Sequence, residues 1–136
     1  WASANGVSYV EIDQLFREAD AISLHLRLSP ETRGMIGSER LSLMKPTAFL
    51  VNVARGGLID EDALAAALRH GTIAGAALDT FGSEPLAANS SLRELPNSIL
   101  SPHTAGTTTE SLAQSLELVV DNTLAFLEGR IQNPVE

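Results

Sequence analysis

The sequence predicts an α/β protein in which a parallel β-sheet is doubly wound, that is, covered by helices. Short apolar runs alternate along the chain with segments whose apolar residues recur at helical spacing, and this alternation is typical of parallel sheets. Residues 49–53 are apolar almost throughout, as expected of a strand buried on both faces. The chain has 136 residues, of which 44% are hydrophobic, so it can bury a core of its own.

Local signals place the first elements in chain order. Ile12, Leu15 and Phe16 recur at spacings of three and one, which predicts a first helix. A short helix at 38–44 should end before Pro46, because a residue that precedes proline is pushed out of the helical region. The predicted strands lie at 21–26, 49–53, 73–79 and 98–101.

The helix between the second and third strands has clear boundaries. Asp60 is well placed as its N-cap, and Glu61 and Asp62 put carboxylates in the first turn, near the positive end of the helix dipole. Gly71 supplies the left-handed residue that commonly follows a helix. Residues 82–96 are then expected to form a loop.

A long helix is predicted at 109–128. Thr107 and Glu110 have the spacing of a capping box at its start, and Gly129 ends it. The apolar residues of one face predict a core or interface surface. They are Leu112, Leu116, Val119, Val120, Phe126 and Leu127.

Composition and charge exclude several classes of function. The net charge is −8, and the nine Lys and Arg residues are scattered, so nucleic acid and anionic membranes are poor candidate partners. The absence of cysteine excludes disulfides, thiolate zinc sites and a thiol nucleophile. No apolar run approaches the ~18 residues of a membrane span, and no signal peptide is visible, which predicts a cytoplasmic location. The start at Trp1, without Met, suggests a part of a longer protein.

Polar residues cluster after the predicted strands, where open α/β sheets bind their ligands. This places one guanidinium, two carboxylates and one imidazole on the same edge of the sheet. An arginine followed by two glycines can approach a ligand closely and hold a carboxylate through two hydrogen bonds. A histidine within reach of a glutamate is a tuned proton-transfer group. The segments concerned are 25–26, 52–57, 79–85 and 101–106.

Three blocks in this order resemble the D-2-hydroxyacid dehydrogenase family. They are NVARGGLIDEDAL at 52–64, GAALDTF at 75–81 leading to Glu84 and Pro85, and SPHTAG at 101–106. Arg55 precedes Glu84 by 29 residues and Glu84 precedes His103 by 19, so a chance match of one block would not reproduce the set. The resemblance implies a Rossmann-type nucleotide-binding domain, incomplete here because its N-terminal glycine-loop strand is absent from the sequence.

The resemblance also implies roles for particular residues. Arg55 would bind the substrate carboxylate, and His103 would exchange a proton with the 2-hydroxyl while hydride moves to or from NAD. Glu84 would orient His103 and favour its imidazolium form. Asp79 would hold the nicotinamide carboxamide, unless it simply caps the turn after its strand. The other implied cofactor contacts are Leu26, Val53, Ala54, Arg55, His103, Thr104, Ala105 and Gly106.

The family pattern leaves other points open. Arg27 stands where the family usually has proline, either as a variant of that turn or as a positive charge near the cofactor. Residues 1–3 contain no acid to hold an adenine ribose, so NAD is assigned from family prevalence and NADP is not excluded. Residues 1–107 are assigned to the NAD-binding domain, and 108–136 to a helix and tail that return to a substrate domain. A homodimer is expected of the full-length protein.

Three hypotheses of function remain at this point. The first is an oxidoreductase acting on a small 2-oxo or 2-hydroxy carboxylic acid. The second is a dinucleotide-regulated scaffold of the same fold, similar to transcriptional corepressors, and the third is a purely structural unit. No metal site is expected, since His25, His70 and His103 lack ligand spacing.

Overall fold

A computed structural model describes residues 2–134, so the outermost residues of the two predicted domain ranges lie outside the described part. Its helices are α1 (Ile12–Glu18), α2 (Ser38–Leu43), α3 (Glu61–Arg69) and α4 (Thr109–Leu127). Its strands are β1 (Ala21–Leu24), β2 (Phe49–Asn52), β3 (Gly75–Leu78) and β4 (Ser98–Leu100). Short 3₁₀ turns occupy Ser3–Asn5, Gly56–Leu58 and Ser91–Glu94.

The four strands form one parallel sheet in the order β1-β2-β3-β4. Their last residues are in register, because Leu24 pairs with Asn52, Asn52 with Leu78, and Leu78 with Leu100. The loops that follow the strands therefore leave the sheet at one common edge, here called the carboxyl edge. The parallel sheet with its connecting helices confirms the predicted α/β class and the incomplete Rossmann-type architecture.

The core lies on one face of the sheet. Ile22 and Leu50 are buried there together with Phe16 of α1 and Leu64 of α3. On the opposite face Phe49 is 52% exposed. The expectation that 49–53 would be buried on both faces is therefore wrong for the described residues. An apolar run does not by itself report how many faces of its strand are covered.

Two predicted helix starts have different outcomes. Asp60 caps α3 as expected, since its Oδ1 accepts a hydrogen bond from the Ala63 N–H at 3.0 Å. The capping box of α4 lies one residue later than predicted. Thr108 accepts from the Ser111 N–H, and Ser111 Oγ accepts from the Thr108 N–H, both at 3.1 Å. The Thr107 and Glu110 prediction is therefore wrong by one position, because neighbouring threonines have the same capping chemistry.

The chain divides into two compact units after His103. In the second unit, Leu116 and Phe126 of α4 are 68% and 73% exposed, while Ala125 is buried. The predicted apolar stripe of α4 is thus not a core surface within the described residues. The strands also end earlier than expected, so Leu26 follows β1 and Asp79 follows β3. The domain limits at 107 and 108 stay a prediction.

Candidate active site

The loop after β2 carries Arg55 and is shaped by Asn52, the last residue of that strand. The Asn52 side chain is fully buried, its Nδ2 donates to the Arg55 carbonyl at 2.9 Å, and its Oδ1 accepts from the Ala54 N–H at 3.1 Å. These two bonds give both ends of a buried amide a partner and fix the backbone of Ala54 and Arg55. The exposed Arg55 guanidinium donates through Nη1 to the Ala54 carbonyl at 2.7 Å.

Gly56 lets the Arg55 loop lie directly against the loop after β3. A Cβ atom at position 56 would lie 1.9 Å from the Phe81 carbonyl carbon, which is backbone and cannot be turned aside. Only glycine permits so close an approach of two backbones. The glycine is therefore what sets the distance between the loop that carries Arg55 and the loop that carries Glu84.

Glu84 and His103 form a hydrogen-bonded pair. His103 Nδ1 lies 2.8 Å from Glu84 Oε2, and the other oxygen, Oε1, accepts from the Phe81 N–H at 2.9 Å. The hydrogen bond from His103, and then that from the Phe81 backbone, lower the pKa of the Glu84 carboxyl below its ordinary value. An ionised carboxylate only accepts hydrogen bonds, so Nδ1 of His103 carries the proton of this contact.

His103 is held by its backbone as well as by Glu84. Its φ is 55°, in the left-handed region that few residues other than glycine adopt. Its N–H donates to the Ser101 carbonyl at 3.1 Å. The side chain is 51% exposed, so a molecule that enters from solvent can reach the ring. Such a conformation is typical of functional positions at which the surrounding structure fixes one side-chain direction.

Two contacts that the sequence did not indicate hold the loop after β3. Glu61, in the first turn of α3, accepts at Oε1 from the Gly82 N–H at 2.6 Å. Ser101 donates to Oδ1 of Asp79 at 2.6 Å, and Asp79 is 3% exposed. Glu61 thus fixes the approach to Glu84, and Ser101 fixes the buried carboxylate at the start of the same loop. In each of these two contacts the bonded residues are more than twenty positions apart in the sequence, so no local sequence pattern indicates the contact.

A cavity of about 320 Å³ at the carboxyl edge brings the three predicted catalytic residues together. It is lined by Leu28, Arg33, Arg55, Gly56, Gly57, Phe81, Gly82, Glu84 and His103. A second, larger cavity of about 600 Å³ shares Phe81, Glu84 and His103 with it. The Glu84 and His103 pair therefore borders both cavities, while Arg55 borders the smaller one.

The other residues predicted to contact the cofactor are divided between the two units. Leu26 and Val53 follow β1 and β2 and are 46% and 38% exposed. Thr104, Ala105 and Gly106 belong to the second unit. There the Thr104 carbonyl accepts from the Thr107 N–H at 2.9 Å, and Gly106 accepts from the Ser111 hydroxyl. The structure therefore groups the three predicted catalytic residues within the first unit, whereas residues 104–106 belong to the second unit.

Residues 2–105 match the NAD-binding domain of the D-isomer-specific 2-hydroxyacid dehydrogenases. These residues carry a parallel α/β sheet with polar loops at its carboxyl edge, which is the architecture of a dinucleotide-binding domain. The match covers well over half of the chain. The chain therefore belongs to the D-isomer-specific 2-hydroxyacid dehydrogenase family.

Individual proteins show the same similarity. The chain is 45% identical over 126 residues to a glyoxylate reductase of Korarchaeum cryptofilum, covering 93% of this chain and 38% of that protein. A D-lactate dehydrogenase of Aquifex aeolicus, solved with NAD and lactic acid, aligns with TM-score 0.82 and 37% identity over 93% of this chain and 43% of its own. An acyclic imino acid reductase in complex with NADPH and D-Arg aligns with TM-score 0.88 and 32% identity, over 96% and 42%. The chain thus spans about two fifths of the length of these relatives.

The residues at the carboxyl edge fit a nicotinamide group. The ring needs apolar contacts, and Leu26 and Val53 expose apolar side chains at the ends of adjacent strands. The carboxamide N–H needs an acceptor, and Asp79 supplies an oriented carboxylate. Within residues 2–134 no group of three or more His, Asp or Glu side chains has the arrangement of a metal site. None of the helices in those residues is long and apolar enough to cross a membrane.

Proposed function

We propose that the protein containing this chain is an NAD-dependent oxidoreductase that interconverts a 2-oxo acid and a D-2-hydroxy acid. The observation that carries the proposal is the 2.8 Å contact of Glu84 and His103 beside Arg55 in one cavity. A fixed cation for a carboxylate and an oriented proton donor are what reduction of a 2-oxo acid requires. The names of the relatives as reductases and dehydrogenases support the enzyme over the scaffold alternative.

Arg55 has the role of binding the substrate. Its guanidinium donates to the carboxylate of the 2-oxo acid in a charge-assisted, bidentate arrangement, which also fixes the direction of the adjacent carbonyl. Because Gly56 sets the distance to the Glu84 loop, the bound carboxylate and the His103 ring keep a constant separation. The carbonyl oxygen then lies toward His103.

His103 has the role of moving the proton. Its Nδ1–H is engaged by Glu84 Oε2, so Nε2 is the ring nitrogen that can face the substrate. In reduction, imidazolium donates its Nε2 proton to the carbonyl oxygen, and in oxidation the neutral ring takes a proton from the 2-hydroxyl. Glu84 stabilises the imidazolium and keeps the ring from rotating. A bound nicotinamide supplies or accepts the hydride at carbon 2 of the substrate.

The cofactor contacts are part of the same proposal. Asp79, held by Ser101, accepts from the carboxamide, while Leu26, Val53, Ala54 and the 103–106 turn line the dinucleotide. We assign NAD, since the matched family domain binds NAD. We further propose residues 1–107 as the cofactor domain, 108–136 as the return to a substrate domain, a homodimer and a cytoplasmic location.

The test uses the purified full-length protein with a panel of 2-oxo acids and with NADH or NADPH. We expect the 2-oxo acid to be reduced with NADH preferred, and chiral analysis of the product from pyruvate or hydroxypyruvate to show the D-isomer. Light scattering of the same sample is expected to give a dimer. Formation of the L-isomer, or no turnover of any member of a panel that includes glyoxylate, pyruvate, hydroxypyruvate, 2-oxobutanedioate and 3-phosphohydroxypyruvate with either cofactor, would refute the proposal.

A further inference from the structure

A second guanidinium, that of Arg33, lines the cavity that contains Arg55 and His103. Arg33 lies in the segment between β1 and α2. This segment is tied to the Arg55 loop by the Gly34 N–H, which donates to the Gly57 carbonyl at 2.8 Å, and by the Ile36 N–H, which donates to the Leu58 carbonyl at 3.0 Å. The backbone that carries Arg33 is therefore fixed relative to the backbone that carries Arg55.

The Arg33 side chain lies over the backbone of Gly57. A Cβ atom added at position 57 would lie 3.4 Å from Arg33 Nη1 and 2.9 Å from Leu28 Cδ2. The guanidinium thus reaches the loop two residues beyond Arg55, and the absence of a side chain at Gly57 leaves it room. This places Arg33 at the wall of the cavity rather than on a remote surface.

The charges around the cavity do not balance. In the part of the chain that the structure describes, neither Arg33 nor Arg55 forms an ion pair. Glu84 is the acidic residue among those that line the cavity, and both of its oxygens are engaged by His103 and Phe81. The guanidinium groups of Arg33 and Arg55 therefore line a cavity in which the Glu84 carboxylate is already hydrogen-bonded to other groups. This excess of positive charge occurs in a chain whose net charge is −8. One substrate carboxylate would pair with only one of the two guanidinium groups.

We propose that Arg33 determines specificity by binding a second anionic group, a carboxylate or phosphate, at the far end of the 2-oxo acid. The inference rests on the proposed function and adds the substrate class, namely 2-oxo acids with two anionic groups. Arg55 takes the carboxylate next to the carbonyl, and Arg33 takes the distal anion. A guanidinium suits either anion because its planar N–H groups match both geometries.

The test compares matched substrates in the full-length enzyme. One pair is 2-oxobutanedioate with 2-oxopentanoate, which lacks the distal carboxylate, and the other is 3-phosphohydroxypyruvate with hydroxypyruvate, which lacks the phosphate. The wild type should prefer the member with the second anionic group in at least one pair, and the pair concerned identifies carboxylate or phosphate as the distal group. Arg33→Gln should lower kcat/KM for that member about 10- to 100-fold, mainly through KM, and change the member with a single carboxylate less than about twofold.

Two further variants distinguish direct binding of the distal anion by Arg33 from a general effect of positive charge. Arg33→Lys should restore part of the loss, since the charge is kept without the planar fork. Arg69→Gln removes one positive charge at the C-terminal end of α3, and kcat/KM for both substrates of each pair should stay unchanged. The Arg33→Gln effect should also shrink at high salt.

The outcomes of this test separate failure of the Arg33 proposal from failure of the proposed function. Absence of any 2-oxo acid reduction would overturn both proposals. Reduction without preference for a member with two anionic groups, an equal loss on both members of a pair, or no loss in Arg33→Gln would overturn only the role of Arg33.

Discussion

Gly56→Ala tests whether the spacing of the Arg55 and Glu84 loops matters for both stability and catalysis. The new methyl group would lie 1.9 Å from the Phe81 carbonyl carbon and 2.3 Å from the Phe81 Cα and oxygen. Ordinary van der Waals contact begins at 3.4 Å, so the loops must separate by about 1.5 Å. Overpacking of this kind costs about 1–3 kcal/mol of unfolding free energy.

The same displacement moves the loop that carries Arg55 away from the loop that carries Glu84, whose carboxylate holds His103. A misplacement of about 1 Å can lower a rate about 100-fold, so we expect kcat/KM of Gly56→Ala to fall by at least that factor. Denaturant unfolding and steady-state kinetics of the full-length protein measure the two effects. Gly37→Ala is the matched control, because a Cβ there meets only the Gly34 carbonyl oxygen at 3.8 Å. Near-wild-type stability and activity of Gly56→Ala would refute the close approach.

Four other predictions concern the site. Arg55→Ala should raise KM for the 2-oxo acid far more than Arg55→Lys, and equal effects in steady-state kinetics would exclude bidentate binding. Glu84→Gln should lower kcat of reduction, because an amide holds the Nδ1–H of His103 less strongly than a carboxylate does, and an unchanged kcat would contradict the pairing. Because the hydrogen bonds from His103 and then from the Phe81 N–H lower the pKa of the Glu84 carboxyl, its contact with His103 should persist to lower pH than the ordinary glutamate pKa; an NMR titration in which Glu84 protonates at or above its ordinary pKa would contradict this. Glu61→Ala should destabilise the Glu84 loop by about 1–2 kcal/mol and Glu61→Gln by less, since the amide oxygen still accepts from Gly82; equal losses in denaturant unfolding would argue against that hydrogen bond.

The elements that the sequence predicted well depend on neighbouring residues. The Asp60 cap, the Gly71 stop, with φ 68°, and the parallel strands all follow from signals within a few residues. The start of α4 was predicted one residue too early, because Thr107 and Thr108 are adjacent and have the same capping chemistry. The partner that decides between them is Ser111, whose hydroxyl accepts from the Thr108 N–H.

The candidate site was predictable where a motif carries the residue. Arg55, Glu84 and His103 occur in blocks that resemble a family, and the structure brings them to one cavity. Arg33 lies outside these blocks, and Glu61 lies inside one that gives no indication of its partner Gly82, because both contacts join segments that follow different strands. Those contacts depend on the order of the strands and on their common register at the carboxyl edge.

The exposed face of the sheet shows a further limit of the sequence. Phe49 has the apolar character of a core residue and yet is 52% exposed in the described chain. An apolar side chain indicates what a position tolerates, while the covering elements decide whether it is buried. The same holds for Leu116 of α4, which is 68% exposed.

The most direct measurement is the rate of NADH consumption with hydroxypyruvate by the full-length protein and by its His103→Ala variant, with folding checked by circular dichroism. If His103 donates the proton to the carbonyl oxygen, kcat should fall by about 100-fold or more while the protein remains folded. His25→Ala is the matched control, since His25 contacts Ser23 and does not line either cavity of the site. An unchanged kcat in His103→Ala would contradict the assignment of His103 as the proton donor.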